Sequence, residues 1–202
     1  MKRRLFNLFT VLSHIYLKLI AATGRLEIIN RDGIRQNTML GYWHGDSYCM
    51  QLLLKHIYGT CQGINVIVTA DKRGDVIEKI ISHYGAKAIR LPDGLSVRHY
   101  LRELREICKA SDRILAASLD GPLGPLHEPK KLLFLLAAEA DKKVVYIHFK
   151  YKKVIRLKHR WDKYVIPLPF SKITAYVEEL GYVTKEDLRN FADYKKRLMF
   201  SE

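Results

Sequence analysis

Short apolar runs that stop at polar turns, each followed by a stretch with helical spacing, set the strongest limit on how this chain folds. Residues 64–68, 86–91, 114–119 and 143–149 have strand length, and 64–68 is a continuous apolar run without the alternation of a half-exposed strand. Such runs read as strands buried on both faces, which is the signature of a parallel sheet covered by helices. An opening strand and turn over 37–47 leads into a helix to about residue 58. Val76, Ile77, Ile80, Ile81 and Tyr84 then mark a second amphipathic helix, and Leu101, Leu104 and Cys108 a third at about 95–109. Residues 130–140 form a very apolar helix. The alternation predicts an α/β fold: one domain over 24–202, with a mainly parallel or mixed central sheet flanked by helices.

Smaller signals complete the plan. Residues 26–30 read as a short strand before the turn Arg31-Asp32-Gly33, and 152–158 and 173–177 as strands separated by a loop over 160–171. Thr184 with Asp187 three residues on resembles a capping box opening a last helix to about Met199. A length of 202 residues suits one such domain, and the chain shows no repeats, low-complexity tracts or linker.

Residues 1–23 stand apart as an amphipathic, membrane-associating helix. Asn7, Thr10, His14 and Lys18 share one helical face, and Leu5, Phe6, Phe9, Leu12, Ile15, Tyr16, Leu19 and Ile20 cover the other. The polar face argues against a membrane span, and the basic start suits a helix lying in the headgroup layer. The formal charge of +14 calls for an acidic partner. Residues 142–172 hold ten Lys or Arg against one acid, Asp162, a net +9, and residues 1–23 hold +4. Anionic membrane lipids are the expected partner. Nucleic acid is not, although Tyr146, Phe149, Tyr151 and Trp161 interleave with the basic residues as in a single-strand binder. Cys49, Cys61 and Cys108 show no metal or disulfide spacing, no His/Cys/Asp cluster reads as a metal site, and there is no dinucleotide or P-loop fingerprint.

In a parallel sheet the strand C-termini line one edge, so the turns His44-Gly45-Asp46, Asp71 to Asp75 and Asp120 to Pro125 converge, with Arg90 as a fourth group. A histidine among carboxylates and an arginine supports base catalysis beside an anion site. His44 is the base, and Asp46, Asp71 or Asp120 holds its second nitrogen. Arg90 or Lys72 and Arg73 bind a phosphate, and the Gly/Pro turn offers N–H groups to an oxyanion.

The order of these turns resembles the lysophospholipid acyltransferase superfamily, in its small bacterial branch. The resemblance spans about residues 25–180. It rests on Trp43-His44-Gly45, Asp71 through Gly74, Gly85 through Arg90, Asp120-Gly121-Pro122 with Gly124-Pro125, and Trp161-Asp162 followed by Ile166-Pro167-Leu168-Pro169-Phe170. It implies a glycerolphosphate acyltransferase-like fold that moves a fatty acyl group from a thioester to a hydroxyl of a phospholipid- or glycolipid-type acceptor. The expected place is the cytoplasmic face of the inner membrane, peripheral or monotopic. No cofactor is implied; acyl-CoA or acyl carrier protein is the co-substrate. Catalysis falls to His44 with Asp46 and Asp120, and substrate binding to Asp71, Arg73, Arg90, Gly121 and Pro122. The superfamily's aspartate five residues after the histidine is here Cys49, a basic residue common inside the Asp-Gly-Pro turn is Leu123, and Leu91-Pro92 follow Arg90. A non-catalytic lipid-phosphate-binding protein of the same fold is the alternative.

Overall fold

Strands buried on both faces need helices on both sides, and the chain supplies them. The structure, a computed structural model, describes residues 2–57, 63–91, 97–110 and 113–198. Seven strands form one mixed sheet in the order β1-β7-β6-β2-β5-β3-β4: β1 (Arg25–Ile29), β2 (Thr38–Tyr42), β3 (Ile64–Thr69), β4 (Ala86–Leu91), β5 (Ile114–Ser118), β6 (Lys143–Arg156) and β7 (Val165–Gly181). The five strands from β6 to β4 are mutually parallel; β7 runs antiparallel to β6, and β1 parallel to β7. All five residues of β2 are buried, because the strand lies near the centre with both faces covered.

Two apolar clusters occupy the two faces. The first holds Leu40, Tyr42, Val66 and Val145 under α1 (Lys2–Thr23), α2 (Ser47–Ile57) and α3 (Lys72–Ser82). The second holds Met39, Leu115, Ala117 and Tyr146 under α4 (Val97–Ala110), α5 (Lys131–Glu139), α6 (Lys185–Arg189) and α7 (Phe191–Arg197). Adjacent residues such as Met39 and Leu40 fall in opposite clusters, as pleating requires.

Three expectations change. The strands at 143–149 and 152–158 are one strand, β6, with a bulge between Lys152 and Val154. The expected loop at 160–171 is a turn only to Tyr164, after which β7 begins at Val165. Two prolines made that stretch read as irregular. They fit because β1 pairs with β7 only from Lys172 onward, so the missing N–H of Pro167 falls on an edge with no neighbour. The last helix is broken at Asn190 into α6 and α7, and its capping box between Thr184 and Asp187 is formed; Met199 lies outside the described residues.

Helix α1 divides its apolar residues. Leu17 and Ile20 are buried in the first cluster, while Leu8, Val11, Leu12, Ile15 and Leu19 stay 44–56% exposed. These five recur every three or four residues, so they form one stripe on the side away from the sheet. Among the described residues no helix is long and apolar enough to cross a membrane.

Candidate active site

The turn after β2 begins at Trp43, whose extended backbone leads into a 3-10 turn over His44–Asp46 that runs into α2. The His44 backbone N–H donates to Asp120 Oδ1 at 2.8 Å, and Ser47 Oγ donates to the His44 carbonyl at 2.6 Å. Since β2 and β5 are neighbours, Asp120, two residues past β5, lies directly beside the turn it holds.

The imidazole finds its partner across the sheet edge. His44 Nδ1 lies 2.8 Å from Asp162 Oδ2, in the turn between β6 and β7. Arg160 clamps the same carboxylate with Nε on Oδ1 at 2.8 Å and Nη2 on Oδ2 at 2.7 Å, and the Tyr164 N–H adds a third donor at 3.3 Å. Burial alone pushes the Asp162 carboxyl up, but the bonds from Arg160 and His44 and their charge hold it below its ordinary value. An ionised Asp162 accepts from Nδ1–H, which leaves Nε2 as the basic nitrogen. The imidazole side chain is 23% exposed, so the ring is partly open to solvent.

Two glycines let the turn close. A Cβ on Gly45 would sit 2.2 Å from the Asp162 carbonyl oxygen, so only glycine lets the 162 loop rest on the His44 turn. Gly124, at φ +70°, lies under the Trp161 ring, where a Cβ would come within 2.4 Å. Trp161 in turn packs beside His44, with ring centroids 5.3 Å apart. Trp43-His44-Gly45, Gly124 and Trp161-Asp162 are thus parts of one contact.

The chain is similar to an uncharacterized protein of Rickettsia prowazekii (strain Madrid E), 24% identical over 203 residues that cover 96% of this chain and 89% of that one. No family model and no solved structure matches.

The remaining candidates fall in different places. Asp120 is fully buried, and burial raises its pKa against the hydrogen bond from the His44 N–H; its Oδ2 has no hydrogen-bond partner among the described residues. Gly121, at φ +67°, and half-buried Pro122 turn the chain out of this position. Asp46 points to Tyr151, whose hydroxyl donates to Oδ1; burial pushes its carboxyl up to about 6 against that bond and the Arg156 charge. Asp71 serves the start of α3, where its Oδ1 accepts from Thr69 Oγ1 at 2.8 Å and the Gly74 N–H at 3.2 Å. The side chain of Arg73 lies outside the described residues.

Arg90 is engaged by the protein itself. Nε donates to Glu78, Nη1 to the Thr69 and Asp71 carbonyls, and Nη2 to Asp75 and Glu78, so all five N–H groups have an acceptor. It also sits on β4, three strands from β2 and about 14 Å away by ordinary strand spacing. In this arrangement Arg90 ties α3 to β3 and the edge strand β4. Cys49 is fully buried in the first cluster, and burial pushes its thiol well above the ordinary value, the setting of a packing cysteine. Among the described residues no His/Cys/Asp/Glu group has the makings of a metal site.

Asp162 and Arg160 are members of the candidate site that the spacing of the chain did not place there. Two signals pointed at Asp162: it is the single acid in a block of ten basic residues, and Trp161-Asp162 is one of the motifs on which the resemblance rests.

Proposed function

We propose that the protein is a membrane-associated O-acyltransferase in which His44, oriented by Asp162, is the general base. The observation that carries this reading is the His44–Asp162 pair with Arg160 clamped on the carboxylate. It supplies the carboxylate that position 49 lacks, and it stands at the edge where a parallel sheet places its chemistry.

The step needs only those groups. Nε2 takes the proton of the acceptor hydroxyl as its oxygen attacks the thioester carbonyl carbon. The C–S bond then breaks, and the proton passes from the imidazolium to the departing thiolate, which returns His44 to its starting form. Asp162 stays ionised and stabilises the imidazolium. The exposed stripe of α1, with Lys2, Arg3, Arg4 and Lys18 in the same helix, suits the headgroup layer of an anionic membrane at its cytoplasmic face, where a lipid acceptor is at hand.

Purified protein incubated with a long-chain acyl thioester and a total bacterial lipid extract tests the reading. Mass spectrometry is expected to find a lipid heavier by one acyl group, made by wild type and not by His44→Ala. Absence of any acylated lipid with both acyl-CoA and acyl carrier protein as donor, or a product undiminished in His44→Ala, overturns it.

A further inference from the structure

The acyl-transfer step leaves one sequence motif without a role, Ile166-Pro167-Leu168-Pro169-Phe170. In the β6–β7 ladder Val154 faces Pro167 and Lys152 faces Lys172. One residue of β6, Lys153, therefore stands against four of β7, and residues 168–171 leave the ladder as a wide bulge. Phe170, in this bulge, has φ +62° and is 69% exposed. Asparagine, aspartate and histidine tolerate that left-handed region, but for a bulky aromatic it is strained. A ring left mostly in water adds little packing to offset the strain.

The bulge rests on α1 at three points. The Tyr16 hydroxyl donates to the Pro167 carbonyl at 2.8 Å, and the Phe170 N–H donates to Thr23 Oγ1 at 3.4 Å. Gly24 lies against Ser171, whose Oγ a Cβ there would meet at 3.2 Å. Thr23 is one turn past Leu19, and its hydroxyl donates to the Leu19 carbonyl at 2.7 Å. At about 100° per residue, Leu8, Leu12, Ile15 and Leu19 fall within roughly 60° of one another, and Thr23 and Tyr16 border them on one side. The bulge therefore runs along the edge of the exposed stripe, and Phe170 joins it at the C-terminal end of the helix.

Cations gather at this corner. Arg25 and Lys172 are register partners on β1 and β7, so two exposed positive side chains stand side by side. Like charges so placed destabilise the pair, and an anion over them relieves it. Lys172 reaches Glu27 at 3.7 Å, while Arg25 has no acidic partner among the described residues.

We propose that the bulge at 168–170 is a second membrane-inserting element, which places Phe170 at the boundary of headgroups and acyl chains beside the α1 stripe, with Arg25 and Lys172 on lipid phosphates. An anionic bilayer fits this surface because aliphatic and aromatic side chains stand together with cations at their border. Two points of insertion fix how the sheet sits on the membrane, whereas α1 alone leaves the protein free to roll about the helix axis. The inference rests on the membrane-associated part of the reading above and is independent of its chemistry.

Partition into vesicles of phosphatidylglycerol and phosphatidylcholine, measured without donor or acceptor, tests it. Phe170→Ala is expected to lower the partition coefficient roughly tenfold. Arg25→Gln lowers it about fivefold at low salt, an effect lost in pure phosphatidylcholine. Tyr182→Ala removes another exposed ring, past the far end of β7, and is expected to stay within about twofold. In Phe170→Trp, brominated phospholipid quenches emission beyond the background that Trp43 and Trp161 give in wild type. Phe170→Gly separates an anchor from a packing residue: glycine accepts φ +62° without strain, so the melting temperature holds or rises while binding falls. Binding that Phe170→Ala leaves within about twofold of wild type, with no added quenching in Phe170→Trp, overturns the proposal and leaves α1 as the membrane contact. Wild-type protein that does not bind the vesicles at all overturns the membrane reading and the proposal together.

Discussion

A histidine works as a base when its second nitrogen is held, and here the residue that holds it lies 118 positions along the chain. Asp162→Asn keeps the shape of that contact but removes the charge that stabilises the imidazolium, so acyl transfer is expected to fall by roughly 10²–10⁴, and the melting temperature to fall as well, because the charge-assisted bonds from Arg160 are weakened. Gly45→Ala acts on the same contact from the backbone. Its Cβ drives into the Asp162 carbonyl, and a loss of about 1–3 kcal/mol of stability together with activity is the expected outcome in urea unfolding and turnover. Asp46 carries a pH signature. Its carboxyl titrates near 6 in the folded protein, above the unfolded value, so the folded state holds that proton more tightly. Stability from this group is full below the ordinary carboxyl pKa and is lost as pH rises through about 6, by up to about 3 kcal/mol. In unfolding curves from pH 4 to pH 7, Asp46→Asn is expected to lack that drop. Equal slopes in the two proteins would rule the assignment out.

At the scale of elements, α1 shows how one amphipathic pattern serves two surfaces. Its polar face was plain in the spacing of Asn7, Thr10, His14 and Lys18, whereas the division of its apolar residues depends on which side meets the sheet. Leu17 is buried against the first cluster and Leu12 is not. Leu17→Ala is therefore expected to cost about 2–5 kcal/mol of stability. Leu12→Ser with Ile15→Ser leaves the melting temperature nearly unchanged but lowers partition into anionic vesicles roughly tenfold. The reverse pattern contradicts this placement of the helix. The β6–β7 hairpin was legible only in pieces: three separate strand candidates marked its arms, but the prolines beside Ile166 and Leu168 disguised the first half of β7, because tolerance of proline depends on a free edge that only topology reveals. Arg90 shows a limit of another kind. An arginine at a strand end next to a polar turn looks the same in sequence whether it awaits a phosphate or, as here, binds Glu78, Asp75 and two carbonyls.

For the whole molecule, the sheet edge was readable because buried parallel strands announce themselves and their turns must converge. His44 and Asp120 meet as that rule requires, two adjacent strands apart from each other by one ladder. The rule does not say which carboxylate reaches the imidazole. Asp46 is nearest in sequence but turns to Tyr151, while Asp162 arrives on an antiparallel hairpin whose position follows from the order of the strands. The central claim is that His44 and Asp162 act as one unit. The most direct measurement is acyl-transfer rate in wild type, His44→Ala, Asp162→Asn and the double variant under identical donor and lipid. If the pair is a unit, the double variant is no slower than His44→Ala alone, because an aspartate with no imidazole to orient contributes nothing further. Losses that multiply across the two sites would mean that Asp162 acts independently of His44, and would contradict the account.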